Sequence, residues 1–282
     1  RRLISGHGQA GLHSAAPTRC VSAQSLGHAP RGARFAIIAT DTARHLSDSL
    51  QAMEHGLDVL VEKPMALDVV GAQQLEDRAR ELRRLLCVGC TFRFSDGLKT
   101  FQNLLTQLGT LHFVRIVCQS YLPDWRPDRP YREAYSARAH EGGVLRDLIH
   151  EIDYAGWLYG WPRTLIASVR NQGRLGIGAD EAADLLWEAD NGTVVSMSLD
   201  YLSRSPVRMM KAHGETGAIS WDGLTGTVSL QIFGQVEEVF PSSQTRDEML
   251  LGQSLDFTDV CAGRPSGRIS TALDGKRALA VC

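Results

Sequence analysis

Residues 141–153 read EGGVLRDLIHEID. Asp147, His150 and Asp153 recur at steps of three, a spacing that lines side chains along one helical face. The residues between them, Leu148, Ile149 and Ile152, and the following AGWLYG are mostly apolar. The expected element is one partly buried helix over 143–159 carrying a polar stripe. Buried charge is costly unless it is paired or used. The stripe is therefore either a satisfied structural network or an acid–base active site.

Two other stretches carry comparable chemistry. In VLVEKPMA, Lys63 sits between Glu62 and Pro64. Pro64 fixes the following backbone and Glu62 can pair with the lysine. If a parallel strand ends here, Lys63 is aimed at the crevice where open α/β sheets bind ligands; otherwise it is a surface lysine at a turn. The stretch YLPDWRPDRPYREAYSARAHEGG is dense in arginines (126, 129, 132 and 138) and aromatics, among them Trp125 and Tyr135. Aromatic faces with arginine forks suit sugar rings bearing carboxylate or phosphate. The alternative is a solvated, proline-rich connector.

These residues need elements to position them. Residues 35–39 of ARFAIIAT form an expected buried strand ending at Thr40. TARHLSDSLQAMEHG reads as a helix stopped by Gly56, and LDVLVEKP as a second strand. LDVVGAQQLEDRARELRR reads as a helix and LLCVGCTFRF as a third strand. Strands alternating with helices imply parallel β-α-β units with right-handed crossovers. The later segments LGTLHFVRIVCQS, RTLIASVRNQG, AADLLWEADNGTVVSMSLDYLS, VRMMKAHGETGAISWDG and GTVSLQIFG are rich in β-branched residues and separated by glycine turns. They predict a largely antiparallel open sheet. The expected fold class is α/β: an N-terminal Rossmann-type parallel-sheet domain over 1–91, then an α+β substrate-binding and oligomerisation domain over 92–282.

Gly6-x-Gly8-x-x-Gly11 near the start has the dinucleotide fingerprint, which on its own is a weak signal among 27 glycines. The ribose-binding acid expected about 20 residues later is not there, because residues 1–40 contain neither Asp nor Glu. A segment is therefore expected to be absent near 14–17. The closing DGKRALAVC stops inside a helix-like run, which suggests a shortened C-terminus.

The 282 residues carry a formal net charge of -2, with 43% hydrophobic and 22% charged residues. This balance offers no general attraction to nucleic acid or an anionic membrane. No apolar run reaches the length of a membrane-spanning helix, and no hydrophobic leader opens the chain. A cytoplasmic protein is expected. Cys87 and Cys90 form a CxxC without a second close pair or nearby histidines for zinc. They read as buried, inert thiols, and no metal is expected.

EKP after a strand, ATDTARH before it, TFRF opening the next domain and GGVLRDLIHEID together resemble the Gfo/Idh/MocA oxidoreductases, the glucose-fructose oxidoreductase and inositol dehydrogenase relatives. The resemblance spans Gly6 to about Leu279. It implies hydride transfer between NAD or NADP and a secondary hydroxyl of a sugar, cyclitol, nucleotide sugar or sugar acid. It implies a catalytic group of Lys63, Asp147 and His150, with His150 as base and Lys63 as its electrostatic partner. Asp153, Arg93, Trp125, Arg126, Arg132 and Tyr135 are the expected substrate contacts. Gly6, Gly8, Gly11, Thr40, Asp41, His45, Glu62, Lys63 and Pro64 are the expected cofactor contacts. Two residues separate Asp147 from His150 where many members have three, and Asp41 stands where a proline is common. A homodimer or homotetramer through the C-terminal sheet is expected. Two further readings share the scaffold: an NAD-dependent glycosidase and a non-catalytic nucleotide-binding regulator.

Overall fold

The computed structural model describes residues 32–282. Gly6, Gly8, Gly11 and the region around 14–17 lie outside the described residues. The described residues open with strand β1 (Phe35–Ile38), helix α1 (Thr42–Glu54), β2 (Asp58–Glu62), α2 (Val69–Leu82) and β3 (Leu86–Gly89). β1, β2 and β3 pair in parallel and in chain order. β2 and β3 are almost wholly buried, as an apolar run in a covered parallel sheet requires. The Asp68 carboxylate caps α2 by accepting from the Gly71 N–H at 2.8 Å.

The third strand is shorter than its sequence suggests. TFRF does not extend β3 but forms a 3-10 turn over Thr91–Phe94. That turn leads into α3 (Asp96–Leu104), capped by Ser95.

A second sheet follows, built from β4 (Leu111–Gln119), β5 (Pro162–Arg170), β6 (Ala182–Ala189), β7 (Val194–Asp200), β8 (Val207–Gly214), β9 (Gly217–Asp222), β10 (Val228–Ile232) and β11 (Glu238–Phe240). Its order is β11-β10-β9-β8-β4-β7-β6-β5. Every pairing is antiparallel except β4 with β7. That exception places the ends of β4 and β7 side by side, Gln119 against Asp200. One face packs on the core through Trp187, Trp221, Met197 and Met210, all nearly inaccessible.

After α6 (Arg246–Cys261) the chain returns to the first sheet. β12 (Ser270–Thr271) pairs antiparallel with β3, and α7 (Ala272–Val281) packs against α2. A division at residue 92 therefore leaves one strand and one helix of the first sheet in the C-terminal part.

The expected single helix over 143–159 is two: α4 (Val144–Asp147) and α5 (Ile149–Tyr159). Leu148 leaves helical geometry at φ -94°, ψ 25°. Gly143 opens α4 at φ 95°, and a Cβ there would stand 2.1 Å from the Asp180 carboxylate. That glycine lets Asp180 reach in and accept from the Leu145 N–H at 3.2 Å. Cys87 and Cys90 are free and buried. Burial pushes the Cys87 thiol up to about 12, which keeps it protonated and unreactive. No described helix is long and apolar enough to cross a membrane. Among the described residues no cluster of three His, Cys, Asp or Glu is placed to hold a metal.

Candidate active site

The break at Leu148 has a local cause with chemical consequences. The Glu151 N–H bonds to the Leu148 carbonyl at 3.1 Å. The Asp147 carbonyl, thus freed from the helical ladder, accepts from Lys63 Nζ at 2.7 Å. Lys63 follows the carboxyl end of β2, so this contact ties the first sheet to the α4–α5 junction. Glu62 makes no ion pair with Lys63, contrary to the sequence expectation. It packs on β3 instead, where a Cβ added to Gly89 would lie 3.0 Å from its Oε1. Burial pushes the Glu62 carboxyl up, opposed by the Lys63 charge.

Asp147 is buried, and its Oδ2 accepts from the Tyr201 hydroxyl at 2.6 Å. Its Oδ1 is buried with no hydrogen-bond partner, and so is Nδ1 of His150. His150 stands edge-on to Phe92, with ring centroids 5.2 Å apart. The Phe92 ring also meets Arg208, whose guanidinium carbon is 4.3 Å from its centroid. Burial, then the charges of Lys63, Arg208 and Arg246, hold the imidazole well below its usual titration range. It is a neutral ring able to accept a proton.

Asp153 lies elsewhere. Its carboxylate takes two bonds from Arg93, Nε at 2.8 Å and Nη2 at 2.7 Å, and both side chains are almost inaccessible. Ser270 adds a third bond at 3.3 Å, and Arg93 also reaches Asp274 at 3.2 Å. Arg93 and Asp153 were expected as substrate contacts, but each fills the other's bonding capacity. Together they clamp the 91–94 turn, α5 and α7. Burial opposes the Arg93 charge, but the Asp153 and Asp274 carboxylates outweigh it and hold the guanidinium up.

His45 is also committed. It is 1% exposed, with Nδ1 2.8 Å from the Pro64 carbonyl and Nε2 3.0 Å from the Thr40 carbonyl. Expected beside a cofactor, it instead braces the ends of β1 and β2 from behind. Thr40 is exposed and donates to Asp48 at 2.9 Å.

The arginine-rich stretch divides. A cleft of about 320 Å³ is lined by Asp41, Trp125, Arg126 and Tyr135, among others. Arg132 is not in that lining. It donates to the Leu175 carbonyl at 3.1 Å, as does the Tyr131 hydroxyl at 3.0 Å, so it pins the loop. The cleft wall connects to the acid: Trp125 packs edge-on against Tyr201 at 5.3 Å, and Tyr201 holds Asp147. Burial and then the Asp147 charge raise the Tyr135 phenol above its ordinary range, so it stays a donor beside that carboxylate. Sequence reasoning missed Tyr201 and Arg208. Each sits far along the chain from α4–α5 and carries no motif; only the pairing of β4 with β7 and β8 brings them in.

Comparison with known proteins agrees with this architecture. A model described as the oxidoreductase family, NAD-binding Rossmann fold, matches residues 3–90, and one described as the GFO/IDH/MocA C-terminal domain matches residues 105–220. A 2,7-anhydro-N-acetylneuraminate hydratase from Mediterraneibacter gnavus is 25% identical over 75% of this chain and 57% of its own length. A UDP-N-acetylglucosamine 3-dehydrogenase from Acidithiobacillus ferrooxidans is 27% identical over 68% of this chain and 56% of its own. The chain spans between 56% and 64% of the length of the curated relatives it matches. An oxidoreductase from Agrobacterium radiobacter, solved with NAD+, L-tartaric acid and magnesium, shares the fold with a TM-score of 0.77. It is 19% identical, and the match covers 89% of this chain and 76% of that one.

Proposed function

The chain belongs to the Gfo/Idh/MocA oxidoreductase family, and from that premise we propose that it oxidises a secondary hydroxyl of a sugar, cyclitol, nucleotide sugar or sugar acid at the expense of NAD or NADP. One observation carries this reading. Lys63, Asp147 and His150 converge beyond the parallel strands with two buried polar atoms left open, Asp147 Oδ1 and His150 Nδ1. Buried polar groups in folded proteins are otherwise nearly always satisfied, so an unpartnered carboxylate oxygen and imidazole nitrogen gathered near Lys63 support a place for a ligand.

Asp41 and the Glu62–Pro64 turn at the strand ends would border a dinucleotide cofactor. Bound there, the nicotinamide supplies the hydride acceptor. The chain's own residues do the rest. The neutral imidazole of His150 removes the hydroxyl proton. The Lys63 ammonium, anchored on the Asp147 carbonyl, favours the negative charge that grows on the substrate oxygen. Asp147 Oδ1 accepts from a substrate hydroxyl and fixes the ring. Trp125 and Tyr135 give that ring a stacking wall, with Arg126 at its margin.

The test is a screen of aldoses, sugar acids, cyclitols and UDP-N-acetylglucosamine with NAD+ and NADP+, read by nicotinamide absorbance. Reduction of one cofactor by the wild type, lost in Lys63→Ala and His150→Ala, is the expected result. Failure of the folded protein to bind either nicotinamide would overturn the reading. The hydratase names among the relatives favour a second reading, in which the same groups act without net change of cofactor; product from 2,7-anhydro-N-acetylneuraminate without accumulated NADH would establish it.

The outer face of the larger sheet supports a homodimer or homotetramer. Ile166 is 70% exposed on edge strand β5, and its cross-strand partner Leu186 is open on the same face. Light scattering in solution tests this, and a monomer would exclude it. The free thiols among the described residues favour a cytoplasmic setting.

A further inference from the structure

Asp147 is held from both sheets. Lys63, from the end of β2, grips its main-chain carbonyl at 2.7 Å. Tyr201, directly after β7, grips its side chain at 2.6 Å. Tyr201 is itself well held: the residue is fully buried, its N–H donates to the Glu181 carbonyl at 2.9 Å, and its carbonyl accepts from the Leu122 N–H at 3.0 Å. Trp125 closes over its ring. One carboxylate oxygen of Asp147 is therefore filled, and the other is buried and unpartnered, with the Tyr135 phenol also beside the carboxylate.

We infer that Tyr201 is the positioning residue of this site: by occupying Oδ2 it commits Oδ1 of Asp147 to the reacting sugar. The inference rests on the oxidoreductase reading above. A carboxylate free to turn would offer either oxygen in many orientations, and the cost of selecting one would fall on the chemical step. Fixing it beforehand leaves ground-state binding nearly unchanged and speeds the reaction. Because Trp125 lines the cleft and packs on Tyr201, the wall that receives the ring and the group that aims the acid form one rigid unit. Burial first, and then the Asp147 charge, keep the Tyr201 phenol protonated and hence a donor.

A purely structural tyrosine would satisfy the same hydrogen bond, so the test must separate the two roles. Wild type, Tyr201→Phe, Asp147→Asn and the double variant are compared in NADH affinity by nicotinamide fluorescence, thermal midpoint, and kcat and KM on the compound turned over in the screen. Measurements are made at a temperature where near-ultraviolet circular dichroism shows every variant folded. The expected result for Tyr201→Phe is a kcat lowered roughly tenfold, with KM and NADH affinity close to wild type. In the Asp147→Asn background the same change has no further effect, because Tyr201 acts through Asp147. A wild-type kcat in Tyr201→Phe overturns the inference alone. So do losses that multiply in the double variant, or a loss confined to stability and NADH affinity. A wild type that binds NADH but turns over no compound overturns the oxidoreductase reading and this inference with it.

Discussion

Two neighbouring positions along the broken α4–α5 helix handle buried charge in opposite ways. At the α4–α5 junction, Asp147 and His150 keep an oxygen and a nitrogen unpartnered inside the protein. One turn further on, Asp153 is saturated by Arg93 and Ser270. Beside it the buried Glu151 pairs through Oε1 with Arg208 at 2.8 Å and leaves Oε2 without a partner. The contrast separates a site from a brace. Open groups next to a crevice are available for chemistry; groups that fill each other's capacity hold elements in place. The brace also serves the site, since Arg93–Asp153 fixes α5 and Arg208 props Phe92 against His150.

The comparison breaks if the two ends respond alike to mutation. The largest expected effect is on activity at the open end. His150→Ala should lower kcat by about 10²- to 10⁴-fold, the range for loss of a general base, with stability altered by less than about 1 kcal/mol. Steady-state kinetics alongside chemical denaturation checks both halves. A fall in stability matching the fall in rate would make His150 a core residue. At the saturated end the order reverses. Arg93→Met leaves the Asp153 carboxylate buried and alone, and should cost about 3–5 kcal/mol of stability. Adding Asp153→Leu should restore much of it, because a well-packed apolar pair can replace a buried ion pair. Urea midpoints of the single and double variants decide. A double variant less stable than Arg93→Met would mean that the pair does more than cancel its own burial.

Much of this was readable in advance, and the failures share a cause. The β-α-β alternation, the open sheet and Lys63 at the strand end follow from local periodicity and from where a proline stops a strand. So does the nearness of Lys63 to the helix residues, once a family resemblance supplies the pairing. What spacing could not reveal is which charges are already spent. Arg93, Arg132, His45 and Asp153 have the types and neighbourhoods of ligand contacts, yet each is committed to a partner 5 to 60 residues away. Helical periodicity placed Asp147, His150 and Asp153 on one stripe, but a single break at Leu148 divides it. The carbonyl that break frees is taken by a lysine 84 residues earlier. Tyr201 was invisible for the same reason, since its role comes from a parallel strand pair in a sheet that otherwise reads as antiparallel.

The smallest expected effect sharpens the comparison most, because it tests the environment of His150 without touching the site. Its imidazole is held below the ordinary value of 6.5 by burial and by three cations, of which Arg246 contributes least. The base form is therefore present above that lowered value, and activity falls only as pH drops through it. The acid limb of kcat/KM should lie below pH 6.5. Stability follows the linked sign: the unfolded chain takes up a proton on this histidine near 6.5 and the folded chain does not, so its contribution is lost as pH falls below about 6.5. Arg246 is exposed at the start of α6. Removing its charge in Arg246→Ala relieves part of the repulsion, and the limb should move upward, toward 6.5, by about a few tenths of a pH unit. Salt screens an exposed charge but not burial. The difference between variant and wild type should therefore shrink in high salt while the limb itself stays low. A wild-type limb at or above 6.5 would mean that water reaches the ring, and the α4–α5 junction would then be merely solvated.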